Sequence, residues 1–232
     1  MVAIKESFSE TDSRLKLFAS ETEVFQFTAK NLTKIIETTV NAHEDCNVIV
    51  AAGRSITKSL ECLLPLSIDW QRVNWFLADE RCVAKDDPQR NDLQIRQVLQ
   101  KTLGNTYGNV ISSRTDISLE EAVKEYATRI DQIDMFDFCL LGMGDDGHIA
   151  SLLPDHWALK STASCCLVSD SPNPPSQRIT LSMRTLRNTK NRIVVTAGAT
   201  KRQAVLEFRS DPDTPVRIFD PSLVVLDHGA SK

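Results

Sequence analysis

Phe136-Asp137-Phe138-Cys139-Leu140-Leu141 runs without interruption into Gly142-Met143-Gly144-Asp145-Asp146-Gly147-His148. The apolar run has the length of a buried strand, and the glycine-rich stretch that follows cannot continue it. Three glycines within six positions let the backbone turn tightly and come close to a ligand. They also carry two carboxylates and an imidazole to the carboxyl end of the strand, where open α/β sheets bind ligands. Ile149-Ala150-Ser151-Leu152-Leu153-Pro154 reads as a short helical turn stopped by proline. His148 is then expected near a helix start, whose unshared amides can hold an anion or an oxyanion. An ordinary surface turn uses the same residue types, so the rest of the chain has to decide.

A length of 232 residues suits one large α/β domain, or at most two small ones, and is ample for a sizeable core. The 41% hydrophobic and 25% charged fractions are those of a soluble globular protein. The net charge of −4 offers no general attraction to nucleic acid or anionic lipid. An anionic substrate must therefore be caught by local cations. Neither a signal segment nor a bilayer-length apolar run is visible, which points to a cytoplasmic protein with no membrane partner. The cysteines at 46, 62, 82, 139, 165 and 166 form no C-x-x-C pair and are expected reduced and buried.

Arg14–Phe18 reads as a first strand, and Ser20 with Glu23 forms a capping box opening a long helix with Val24, Ala29, Leu32, Ile36 and Val40 on its buried face. Asn47–Ala52 is a buried strand that enters a helix through Gly53-Arg54-Ser55, a natural phosphate cradle and also just a turn. Val73–Leu77 ends in Asp79-Glu80-Arg81, charges expected to pair with one another or to face a cleft. Arg81 could grip a phosphate or carboxylate there. Asn91 is a plausible N-cap for a helix from Asp92 to Leu103, and Ser118 with Glu121 caps another through Ile133. Cys165–Val168, Arg178–Ser182, Asn191–Thr196 and Leu223–Leu226 read as further strands, the last closing the sheet at Asp227-His228. Between them, Gly198 leads through Lys201 into a capped helix, and His43 and His156 read as surface residues. Alternating strands and helices imply an α/β fold over residues 1–232, a Rossmann-like three-layer sandwich with a mostly parallel sheet. The polar strand ends can then converge on one rim: amides, cations for an anion, an imidazole base and carboxylates to orient it. That inventory suits a phosphorylated small molecule undergoing proton transfer or hydrolysis.

The stretch Leu140–Pro154, with its Asp-Gly-His-x-Ala-Ser element, resembles the signature of the 6-phosphogluconolactonase family. Asp79-Glu80-Arg81 with Asn91, Ser171–Pro175 followed by Arg178, Ala197–Lys201 and the ending Leu226-Asp227 are similar to further motifs of that family, in its order. Two positions depart from it. The usual Gly-Gly-Ser-Thr-Pro loop is Ala52-Gly53-Arg54-Ser55-Ile56 here, and Asn173 stands where a lysine is common.

The resemblance implies an isomerase/CoA-transferase-like fold and hydrolysis of 6-phospho-D-glucono-1,5-lactone to 6-phospho-D-gluconate in the oxidative pentose phosphate pathway. It implies His148 as general base, Asp146 or Asp145 orienting it, and backbone amides around Gly144 to Gly147 with Arg81 facing the oxyanion. Gly53, Arg54, Ser55, Asp79, Glu80, Asn91, Gly144, Asp145, Gly147, Arg178 and Lys201 are the expected substrate and phosphate contacts. No cofactor is expected, and without a second histidine at helical spacing no metal. The partner is a small phosphosugar lactone, with no nucleic acid, on a monomer or small homo-oligomer. A glucosamine-6-phosphate deaminase/isomerase-like enzyme and a non-catalytic sugar-phosphate-binding module are the alternatives.

Overall fold

The structure is a computed structural model and describes residues 12–42, 44–64 and 67–231. His43 lies outside them. In chain order the elements are β1 (Leu15–Phe18), α1 (Glu21–Asn41), β2 (Cys46–Val50), α2 (Arg54–Glu61), β3 (Val73–Leu77), β4 (Asp79–Arg81), α3 (Asn91–Leu103), β5 (Asn109–Ile111), α4 (Leu119–Ile130) and β6 (Phe136–Gly142). They continue with β7 (Cys165–Val168), β8 (Arg178–Leu181), α5 (Met183–Arg187), β9 (Thr189–Thr196), α6 (Arg202–Ser210), α7 (Pro215–Phe219), β10 (Leu223–Asp227) and α8 (His228–Ser231).

Local chemistry explains the helix starts. In α1 the Ser20 hydroxyl accepts from the Glu23 amide and Glu23 answers the Ser20 amide, and Ser118 with Glu121 does the same for α4. Val24, Leu32 and Ile36 on one face of α1 are fully buried, as their spacing predicts. The register of β3 against β5 depends on Gly108, where a Cβ would meet the Val73 carbonyl oxygen at 2.1 Å.

Among the described residues the main sheet has seven strands, all parallel, in the order β1-β10-β9-β6-β2-β3-β5. The α/β class with a mostly parallel sheet is the one expected. On one side of the β2/β6 boundary the chain winds outward through β3 to β5, and on the other from β6 through β9 to β10, with the earlier strand β1 paired outside β10. That boundary is the topological switch point, where the crevice of an open sheet lies. β6 sits beside it, every residue from Phe136 to Leu141 buried.

Four expectations fail here. β10 does not close the sheet: β1 pairs outside it, in parallel register from Leu15 to Phe18. Asp79–Arg81, read as the polar end of the Val73–Leu77 strand, is a strand of its own, and with β8 and β7 it forms a separate antiparallel sheet of three strands. The segment after His148 is not helical. Ile149 and Leu152 form an isolated antiparallel bridge around Ala150, whose φ of 51° breaks a right-handed helix. His156 is not a surface residue either, since its ring is only 11% exposed and meets Asp170 at 3.0 Å. All six cysteines are free, four buried and Cys62 and Cys82 half-buried. No described helix is long and apolar enough to cross a membrane.

Candidate active site

At the switch point the turns after β2 and β6, with segments following β3 and β9, wall a cavity of about 640 Å³. Gly53, Arg54, Ser55, Asp79, Arg81, Asn91, Gly144, Asp145, Asp146, His148, Arg178 and Lys201 all line it. Of the expected residues, Glu80 and Gly147 do not.

His148 is held by its own turn. Its Nδ1 lies 2.5 Å from Asp146 Oδ1, and its amide donates to the same oxygen at 3.3 Å. The hydrogen bond from His148 holds the Asp146 carboxyl down at about 2. Asp145 turns the other way, to Lys201 Nζ at 2.7 Å. Asp146 is therefore the aspartate that orients the imidazole, and Nε2 is the nitrogen left for a substrate. Gly144 is required beneath the pair: a Cβ there would stand 2.2 Å from His148 Nδ1 and 2.6 Å from Asp146 Oδ1.

Two of the expected oxyanion amides, those of Gly144 and Gly147, are spent on this turn. Gly144 N–H donates to the His148 carbonyl at 2.8 Å, and Gly147 N–H to the Gly144 carbonyl at 3.1 Å. Gly147, with φ 77°, serves the turn's shape rather than the ligand.

Asp79 and Glu80, expected to pair with Arg81 or face the cleft, are both buried. Glu80 points away from the cavity. Its Oε1 accepts from the amides of Arg81 and Asn91, and its Oε2 from the Asp92 amide and Arg90 Nη2. Burial pushes its carboxyl up to about 7 against the pull of Arg90 and of the Asn91 and Asp92 amides. Glu80 thus caps α3. Asn91 is the first residue of that helix, not its cap, and donates Nδ2 to the Asp79 carbonyl and Oδ1 at 2.9 and 3.1 Å.

Asp79 Oδ2 accepts from Ser151 Oγ at 2.8 Å, and the Ser151 amide donates to Thr180 Oγ1 at 3.3 Å. These bonds tie the His148 loop to β4 and β8, the strands that carry Arg81 and Arg178. Arg81 donates to the Gln89 carbonyl at 2.9 Å, and Arg178 to the Pro175 and Asn173 carbonyls at 3.1 and 2.9 Å. Because these acceptors are neutral carbonyls, both guanidiniums keep their charge for the cavity. Burial lowers the pKa of Arg178, with Asp79 opposing.

At the other end, Gly53 has a φ of 117° and opens α2, whose first turn has no side-chain cap among the described residues. Gly198 likewise adopts a φ of 97°, but a single 3₁₀ turn precedes α6 and no side chain caps it among the described residues. Arg54 pairs with Glu21 and lies 5.9 Å from the Phe25 ring centroid. Sequence reasoning missed Ser151 and Glu21. The first stands inside the quoted motif without any sign of its partner, and the second is 33 residues from Arg54, beyond any local pattern.

Residues 19–227 match the family described as glucosamine-6-phosphate isomerases/6-phosphogluconolactonase. The chain belongs to that family. Within the glucosamine-6-phosphate isomerase/6-phosphogluconolactonase family, a 6-phosphogluconolactonase of Mycobacterium leprae is 30% identical over 207 residues, 82% of this chain and 83% of the relative. A probable 6-phosphogluconolactonase of Arabidopsis thaliana is 30% identical over 216 residues, 82% and 81% of the two chains. The solved structure of the Thermotoga maritima 6-phosphogluconolactonase superposes with a TM-score of 0.82 at 26% identity, over 92% of this chain and 97% of that one.

Proposed function

We infer that this chain hydrolyses 6-phospho-D-glucono-1,5-lactone to 6-phospho-D-gluconate, a step of the oxidative pentose phosphate pathway. The observation that carries the reading is the His148–Asp146 pair in the wall of a cavity that also presents Arg81, Arg178 and Lys201. The lactonase relatives support the choice of substrate, and the cavity volume is of the size that holds small ligands.

His148 Nε2 takes a proton from water as the water oxygen bonds to the lactone carbonyl carbon. The carbonyl electron pair moves onto its oxygen, and Arg81, with the turn amides of Gly144 and Gly147 already spent, faces that charge. Asp146 keeps the imidazole oriented and balances its positive charge. When the tetrahedral centre collapses, the bond to the ring oxygen breaks and the proton on His148 passes to that oxygen. The phosphate lies toward Gly53 to Ser55, with Arg178 and Lys201 as cationic partners. Asp79 and Asn91 shape the wall beneath Arg81. Residues 1–232 act as one domain, in the cytoplasm, as a monomer or small homo-oligomer.

The test is lactone loss in a coupled assay with spontaneous hydrolysis subtracted. His148→Ala is expected to lose roughly 10²- to 10⁴-fold in rate while its melting temperature and phosphate affinity hold. Equal rates for variant and parent would remove His148 from the chemistry. Ammonia released from glucosamine 6-phosphate would assign the chain to the deaminase branch instead, and phosphosugar binding without turnover would make it a binding module.

A further inference from the structure

The cations at the glycine-turn end of the cavity are already matched by carboxylates. Lys201 meets Asp145 at 2.7 Å. Arg54 is held by both oxygens of Glu21, with Nη1 to Oε1 at 3.2 Å and Nη2 on Oε2. Glu21 belongs to the first turn of α1, and its Oε1 also packs against the second glycine turn, 2.8 Å from where a Cβ on Gly198 would stand. Asp227, which accepts from the Gly198 amide at 2.9 Å, adds to the negative field around Arg54. Arg54 lines the cavity and Glu21 does not.

A phosphate monoester carries close to two negative charges at neutral pH. It enters an end of the pocket whose positive charge is neutralised, so it binds by exchange. Arg54 is 60% exposed and Glu21 32%. A pair so open to water contributes little, whereas a guanidinium gripping phosphate oxygens makes stronger charge-assisted bonds. We propose that Glu21 is a resident counterion of Arg54 which the substrate phosphate displaces, making Glu21 a residue that sets phosphate affinity. The proposal rests on the lactonase reading for the identity of the substrate, and on the Arg54 pair alone for the exchange. It also gives the unusual Arg54 a role: the arginine grips the phosphate, and the carboxylate beside it weakens that grip.

The experiment measures KM for the lactone, and by calorimetry the Kd for inorganic phosphate, in parent, Glu21→Gln, Arg54→Gln and the double variant. Glu21→Gln is expected to lower both constants by roughly 1.5- to 5-fold, the span that an exposed ion pair supplies. Arg54→Gln should raise both, and adding Glu21→Gln to it should give no further improvement. Losing a negative charge from the first turn of α1 lowers the melting temperature, so the affinity gain comes with a stability loss. Glu21→Asp keeps the charge but shortens its reach; it should retain the parent melting temperature and still lower the phosphate Kd. Constants that are unchanged or raised in Glu21→Gln and Glu21→Asp would overturn the proposal. A parent that binds phosphate but does not turn over the lactone would fail the lactonase reading and leave the phosphate arm decisive for Glu21.

Discussion

Asp146 and Gly144 show how little room the His148 ring has. The Asp146 carboxyl, held at about 2 against an ordinary value of 3.8 by its hydrogen bond from His148, is ionised at neutral pH. With the folded pKa depressed, its contribution to stability is present above the ordinary value and is lost as pH falls through about 2. Acid titration of parent and Asp146→Asn should therefore converge in stability across that window and differ above it. The same variant should lose rate at neutral pH, because an amide can hold the imidazole in the wrong tautomer. At Gly144 the space is already filled by the His148 ring. Gly144→Ala should cost nearly as much activity as His148→Ala, with folding followed by circular dichroism to separate the two. That these residues share one glycine-rich turn at the end of β6 was legible in the sequence. The choice between Asp145 and Asp146 was not, because it depends on where Lys201 arrives from the turn after β9.

Among the elements, β4 and the start of α3 depart furthest from a local reading. A run of Asp, Glu and Arg has no strand propensity to speak of, yet pairing with β8 makes it one. Glu80 then reaches the first amides of α3 and Arg90, whose side chain is 4% exposed against 1% for Glu80. Removing one partner of a buried ion pair leaves a charge stranded, so Arg90→Met should destabilise the protein by about 3 to 5 kcal/mol. Chemical denaturation would measure this, and an unchanged midpoint would contradict the pairing. The helix after His148 fails for a related reason. Ser151 bonds to Asp79 and Thr180 on neighbouring strands, and the bridge between Ile149 and Leu152 forms in place of a helical turn.

For the molecule as a whole, the arrangement that matters is the reversal of strand order between β2 and β6. It opens the crevice into which both glycine turns project, and it buries β6 under layers on either side. Leu140, fully buried in that strand, should cost about 2 to 5 kcal/mol when changed to Ala. Its thermal midpoint should fall by several degrees, at about 2 to 4 °C per kcal/mol for a chain of this size. Stability and activity would be lost together, whereas His148→Ala loses activity alone. A Leu140→Ala melt matching the parent would show that β6 is not the central support.

The sequence by itself determined most of the strand and helix succession outside β4 and the segment after His148, the capped starts of α1 and α4, the parallel α/β class and most of the residue types that meet in the cavity. These follow from hydrophobic spacing, capping pairs and glycine placement, which act within a few residues of one another. Only the tertiary structure decided that Glu80 caps α3 instead of lining the cleft, that the Gly144 and Gly147 amides are spent inside the turn, and that Arg54 arrives already paired. The Glu80 and Arg54 contacts depend on partners 10 or more residues away, and the Gly144 and Gly147 bonds on the turn geometry that His148 and Asp146 adopt once folded, so hydrogen bonds and charges are assigned by proximity in space.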